Sequence, residues 1–134
     1  MHEWALAEAV IAFLMSASHG MRRVRCVKLR IGELYQMDMD IFITALHEIA
    51  IAEDSKRFAD MKITWEKEKA LFKCRHCGNE WNFKRREDDE ENEAIHFLPE
   101  LIHAFSRCPA CGCPDFDVVR GKGILVERIE GEQQ

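Results

Sequence analysis

Cys74-Arg75-His76-Cys77-Gly78 and Cys108-Pro109-Ala110-Cys111-Gly112 decide how this chain is read. Each stretch is a C-x2-C turn followed by glycine. Two such turns bring four thiolates to one ion, the ligand set of a tetrahedral zinc site, and Gly78 and Gly112 are expected to supply the positive φ of the knuckle. The predicted zinc ligands are therefore Cys74, Cys77, Cys108 and Cys111. With four protein sulfurs the shell is closed and leaves no position for water or substrate, so the site stabilises a fold and performs no hydrolysis. The 30 residues between the pairs exceed the about 15–20 of a compact ribbon, and that insert carries His96 and His103.

The rest of the composition fits a small globular protein. Of its 134 residues, 47% are apolar and 32% charged. No apolar run reaches the length of a membrane span, and the start lacks a basic segment followed by a cleavable apolar stretch. A cytoplasmic location is expected, with no membrane partner. Cysteine usage agrees, because paired C-x2-C spacing in a reducing compartment points to metal before disulfide. A net charge of −5 argues against binding nucleic acid by phosphate neutralisation. The run 87–93, with six carboxylates in seven residues, is expected to be a solvated loop.

Working outward from the knuckles, residues 3–17 are rich in helix formers, with Trp4, Leu6, Val10, Phe13 and Leu14 near a helical period and Gly20 as the stop. Val24 to Ile31 alternates as a half-buried strand, Val27, Leu29 and Ile31 against Lys28 and Arg30. A second helix is predicted from Met39 to Ala52, with Asp38 as N-cap and Ile41, Ala45 and Ile49 inward. Met61 to Trp65 alternates again. After the second knuckle, Phe116 to Val119 is a ribbon strand, and Gly121 and Gly123 make a flexible exit. Ile124 to Ile129 is a strand that returns to the first sheet, and Glu130 to Gln134 is a frayed tail. The fold class is thus α+β: two helices on a three-stranded sheet, residues 1–69 plus 120–134, with a zinc-ribbon domain, residues 70–119, inserted between two strands.

Six cysteines leave two outside the metal set. Cys113 offers an alternative ligand two residues past Cys111, but C-x2-C spacing favours Cys111 and makes Cys113 a spare thiol. Cys26 reads as a small apolar residue of the first strand. The chain also opens Met1-His2-Glu3. A free amine, the His2 amide nitrogen and the His2 imidazole can chelate in fused rings, in the square-planar nitrogen set that nickel(II) and copper(II) reward. His96 or His103 would fill the fourth corner. The competing reading makes His2 an exposed helix-start residue, Glu3 a carboxylate matched to the helix dipole and Asp38 a cap.

The start Met1-His2-Glu3-Trp4, the strand ending Ile31-Gly32-Glu33-Leu34 and the two knuckles together resemble the HypA nickel metallochaperones of nickel–iron hydrogenase maturation. The resemblance spans essentially the whole chain. The insert with Ile95-His96-Phe97 and Ile102-His103-Ala104 is similar to the family branch with an extended zinc domain. It implies a nickel-binding α/β domain joined to a zinc ribbon, with structural Zn(II) and transported Ni(II). Delivery would go to the hydrogenase large-subunit precursor, with a HypB-type nucleotide-hydrolysing partner. By position, the implied nickel ligands are Met1, His2 and His96, with Glu3 and Asp38 as further candidates. Cys113 departs from the family pattern.

Two rivals stand beside this reading. A zinc-ribbon adaptor for nucleic acid or a protein complex would use the basic residues Arg22, Arg23, Arg25, Lys28 and Arg30. A rubredoxin-type iron site would leave the α/β domain unexplained. There is no catalytic constellation and no glycine-rich phosphate loop, so the chain is not read as an enzyme.

Overall fold

The computed structural model describes residues 2–83 and 102–133, apart from the side chains of Ala104 and Phe105. The acidic run 87–93, His96 and Met1 lie outside the described residues. The chain forms two compact units. One comprises residues 1–30, 37–66 and 125–134; the other comprises 31–36 and 67–124.

In the first unit, helix α1 (His2–Ala17) packs along α2 (Met39–Glu53), which is followed by a short α3 (Ser55–Phe58). A three-stranded sheet has the order β2-β1-β6, with β1 at Met21–Gly32, β2 at Lys62–Glu68 and β6 at Ile124–Gln133. The last strand returns to the first sheet, as its lack of a local partner predicts. It also runs on to Gln133, so the expected frayed tail is strand. Asp38 caps α2, its Oδ1 accepting the Ile41 N–H at 3.2 Å. Beyond α2, Arg57 donates to the Met15 carbonyl and to Ser18 Oγ, both at 3.3 Å, which satisfies the C-terminal end of α1.

The buried faces of both helices differ from those the apolar residues suggest. α1 buries Glu3, Ala7, Val10, Ile11 and Leu14, while Trp4 and Phe13 stay exposed. α2 buries Phe42, Ala45, Leu46 and Ala50, while Ile41 is exposed. Apolar side chains surround most of each helix, so periodicity admits more than one face. The winning face of α1 is the one that lets Glu3 Oε1 accept the Asp38 N–H at 3.3 Å. The alternation of β1 holds: Val27, Leu29 and Ile31 are buried, Lys28 and Arg30 half-buried. Cys26 is half-buried rather than core.

The basic residues of β1 meet carboxylates. Lys28 pairs with Glu66 at 3.4 Å and Glu127 at 3.5 Å, Arg30 with Glu127 at 2.6 Å, and Arg23 with Asp60 at 3.0 Å. Arg22, at 2.8 Å, and Arg25 both donate to Glu132.

In the second unit, residues 31–36 and 67–70 run beside 121–124. The Gly32 N–H donates to the Gly123 carbonyl at 2.7 Å and the Leu34 N–H to the Gly121 carbonyl at 3.1 Å. Two carboxylates hold the same segments, Glu33 accepting the Ala70 N–H and Glu68 the Gly121 N–H, each at 2.8 Å. Gly121 is not a flexible exit. It sits at φ 91° with both backbone groups bonded, and a Cβ there would lie 2.3 Å from the Ala70 Cα.

Two outcomes are expected. Gly121→Ala, which combines positive φ with overpacking against backbone, should cost about 3 kcal/mol, read from urea unfolding at fixed metal content. Hydrogen bonds from Arg25 and Arg22 lower the Glu132 carboxyl from its ordinary 4.5 to about 2. Because the folded value is the lower one, this pairing stabilises the protein above pH 4.5 and fades as pH falls toward 2. Melting curves of Glu132→Gln and the parent chain should therefore diverge at neutral pH and converge near pH 2.

Candidate metal centre

Three short strands carry the centre: β3 (Leu71–Cys74), β4 (Glu80–Asn82) and β5 (Phe116–Arg120), in the order β4-β3-β5. β3 pairs antiparallel with both neighbours, placing Phe72 opposite Trp81 on one side and Val118 on the other. Phe72, Phe83 and Phe116 share a buried cluster with Leu34, Ala70 and Ile102, and Trp81 packs against it. The Phe72 and Phe116 ring centroids are 5.1 Å apart, as are those of Trp81 and Phe116. Such tilted aromatic pairs add to the burial of apolar surface.

The knuckles leave this sheet and mirror each other. In the first, the Cys74 N–H donates to the Asn79 carbonyl at 2.9 Å and the Gly78 N–H to the Cys74 carbonyl at 3.0 Å. In the second, the Cys108 N–H donates to the Cys113 carbonyl at 3.0 Å and the Gly112 N–H to the Cys108 carbonyl at 2.8 Å. Gly78 and Gly112 have φ of 78° and 77°, the left-handed values expected of them.

The ligand atoms of Cys74, Cys77, Cys108 and Cys111 all lie within 4.8 Å of one another. Cys74 and Cys111 sulfurs are 3.6 Å apart, as are those of Cys77 and Cys108. A disulfide needs about 2.05 Å. A tetrahedral ion with sulfur bonds of about 2.3 Å spaces its ligands about 3.8 Å apart, so the cluster fits a structural metal such as zinc. Cys113 is outside the cluster, its carbonyl occupying the position that Asn79 holds in the first knuckle.

Local electrostatics favour an ion there. Burial raises the Cys108 thiol, but N–H donors from Cys111 and Ala110 outweigh it and bring Cys108 down to about 6. Cys111 accepts an N–H from Cys113, which lowers it, but desolvation and the three neighbouring sulfurs push it up to about 12. Four thiols so close cannot all lose their protons without a cation to take the charge. Arg75 braces the first knuckle against the second, bonding Asp117 at 2.8 and 2.5 Å and Asp115 at 3.2 Å. Sequence spacing gave no sign of this clamp, since its partners lie some forty residues on. His103 stacks on Phe116, with centroids 4.3 Å apart.

Of the candidates at the chain start, His2 opens α1 and is half-buried, and the Glu3 side chain is buried. Burial raises the Glu3 carboxyl, but hydrogen bonds that include its own N–H and that of Asp38 hold it below its ordinary value. The Asp38 carboxylate is already engaged as the α2 cap. Among the described residues, the four cysteines are the one group of side chains placed to hold a metal. Among the described residues, no helix is long and apolar enough to cross a membrane.

Fold and cluster define an α+β protein built around a four-cysteine metal centre. A family model described as hydrogenase/urease nickel incorporation, metallochaperone, hypA matches residues 1–131. The hydrogenase maturation factor HypA of Pyrococcus furiosus is 42% identical, covering 99% of this chain and 100% of its own length. That of Thermococcus gammatolerans is 40% identical, covering 100% and 98%. The solution structure of the Ni metallochaperone HypA from Helicobacter pylori shares the fold with a TM-score of 0.65 at 17% identity, covering 98% of each chain. The chain belongs to the HypA family, one of metallochaperones in hydrogenase maturation.

Removing the metal should separate the two units spectroscopically. A strong chelator is expected to abolish the near-ultraviolet signal of the Phe72–Trp81–Phe116 cluster while far-ultraviolet helicity from α1 and α2 persists.

Proposed function

We propose that this chain binds one Ni(II) and delivers it to the large-subunit precursor of a nickel–iron hydrogenase, with a HypB-type nucleotide-hydrolysing partner. In this reading the nickel donors are the Met1 amine, the His2 amide nitrogen and imidazole, and His96. Glu3 and Asp38 are further candidates, and Cys74, Cys77, Cys108 and Cys111 hold zinc. The nickel-binding domain is residues 1–69 plus 120–134 and the zinc ribbon residues 70–119. Family membership supports it, as does the donor chemistry of the Met1-His2 start.

The observation that carries the reading is the anchored first turn of α1. The buried Glu3 carboxylate accepts the Asp38 N–H, and Asp38 in turn caps α2, so the residue beside His2 is fixed at two removes. A preorganised start spares the ligands part of the ordering entropy of chelation. Against a nucleic-acid adaptor, all five basic residues assigned to it in β1 are paired with carboxylates.

Titration of the untagged chain should show one Ni(II) above one resident zinc, with a planar d–d band. His2→Ala should abolish nickel uptake and leave zinc at one per chain. His96→Ala should weaken nickel by at least about tenfold, with zinc again unchanged. Affinity should fall between about pH 7.5 and 6 as imidazole and amine compete with protons. Zinc without nickel uptake would overturn the proposal.

A further inference from the structure

We propose that Cys111 and Cys113 form a dithiol–disulfide site that reacts with hydroperoxides and, once oxidised, opens the metal centre. The inference rests on the reading that the four clustered cysteines hold zinc. It starts from the near-identity of the two knuckles. Each has a glycine with φ near 77–78° and the same pair of backbone hydrogen bonds, so Asn79 and Cys113 occupy equivalent positions. The chemical difference at that position is an amide in one knuckle and a thiol in the other.

The ligands are also unequally protected. Cys74 and Cys108 are buried, whereas Cys77 and Cys111 are exposed. A small oxidant in solution therefore reaches Cys77 and Cys111 first. An oxidised Cys77 would find Asn79 in the equivalent position, which has no sulfur to offer, and its sulfur neighbours, Cys108 at 3.6 Å among them, are themselves ligands. An oxidised Cys111 would find Cys113, a half-buried thiol that lies outside the four-sulfur cluster and is not tied up as a ligand.

The Cys74 sulfur lies close to that of Cys111, at 3.6 Å, but it is a ligand; Cys113 is the thiol outside the ligand set, and the backbone permits the pairing. Cys111 and Cys113 lie in one tight turn, closed by the Cys108 N–H on the Cys113 carbonyl at 3.0 Å and the Gly112 N–H on the Cys108 carbonyl at 2.8 Å. The Cys113 sulfur accepts the Asp115 N–H at 3.5 Å, a weak bond that a side-chain rotation gives up. Residues two apart span at most about 7 Å even when extended. The turn at Gly112 shortens that span toward the about 4.4–6.8 Å a disulfide bridges.

In the first step the Cys111 thiolate attacks the hydroperoxide. A sulfur–oxygen bond forms, the oxygen–oxygen bond breaks, and the departing alkoxide takes a proton from water. In the second step Cys113 attacks the resulting sulfenic acid; the sulfur–sulfur bond forms and the hydroxyl leaves as water with the Cys113 proton. One thiolate, one thiol and one hydroperoxide thus become a disulfide, an alcohol and hydroxide. The three remaining sulfurs no longer close a tetrahedral shell, and the segment built around it loosens. A dithiol reductant reverses the change and spares Cys111 from irreversible oxidation.

The test uses the full chain, with zinc content measured first, then graded hydrogen peroxide, a chromogenic zinc chelator and peptide mass mapping. One zinc should be released together with a Cys111–Cys113 disulfide, and rebinding should follow dithiothreitol and added zinc. Cys113→Asn copies the first knuckle, so it should fold and hold one zinc. After oxidation, its recovery should fall at least about fivefold below the parent chain, with Cys111 carried to sulfinic or sulfonic acid. Release coupled to a disulfide that lacks Cys113, or equal recovery in Cys113→Asn, would overturn the proposal alone. A chain holding no zinc before treatment would overturn the zinc reading and the proposal with it.

Discussion

Four sulfur atoms confined within 4.8 Å organise the second unit, and their cost explains most of what surrounds them. A sheet of three strands, none longer than five residues, is too small to stand on its own burial. The aromatic side chains of β3, β4 and β5 supply a small core, and the four-cysteine cluster beside it fits a structural metal that would add what so little burial lacks. The knuckle hydrogen bonds aim N–H groups at sulfur, and Arg75 ties the two turns together through Asp115 and Asp117. Each of these contacts presupposes that the thiols have converged.

The first unit is stabilised differently. Two helices bury a mixed face of small and large apolar groups, with no metal-ligating cluster among its described residues. Its sheet carries a strongly basic central strand, and repulsion along that strand is offset by Glu66, Glu127 and Glu132 on the strands either side. Exposed pairs of this kind contribute little individually. Their effect here is to fix strand neighbours and to neutralise a patch that would otherwise attract polyanions.

Features whose physics is local were open to sequence reading. Gly78 and Gly112 announce their φ, Asp38 its cap, and the alternation from Val27 to Ile31 its buried side. Features that depend on distant partners were not. Trp4, Phe13 and Ile41 are apolar enough for a core, yet helices ringed with apolar residues have no single inward side until tertiary contacts choose one. Gly121 resembles a hinge in sequence and is a close-packed crossing in the fold, because Ala70 and Gly32 arrive from remote segments. Glu33, Glu68 and the Arg75 clamp are ordinary charged residues until the chain brings backbone or carboxylate to them. At the site, the cysteines follow from spacing alone, whereas Met1 and His96 lie outside the described residues.

The crossing at Gly32, Ala70 and Gly121 has a consequence for the descent of the sequence. A Cβ on Gly32 would lie 2.4 Å from the Gly121 carbonyl oxygen, and one on Gly121 would meet Ala70 at a similar distance. The three positions are therefore not independent characters. The nearest atoms in each case are backbone, so no trimming of a neighbouring side chain makes room. At Gly121 the backbone angle, φ 91°, disfavours a side chain as well. Lineages can drift freely across the outer faces of α1 and α2, while this junction admits few single-step changes and channels variation away from itself.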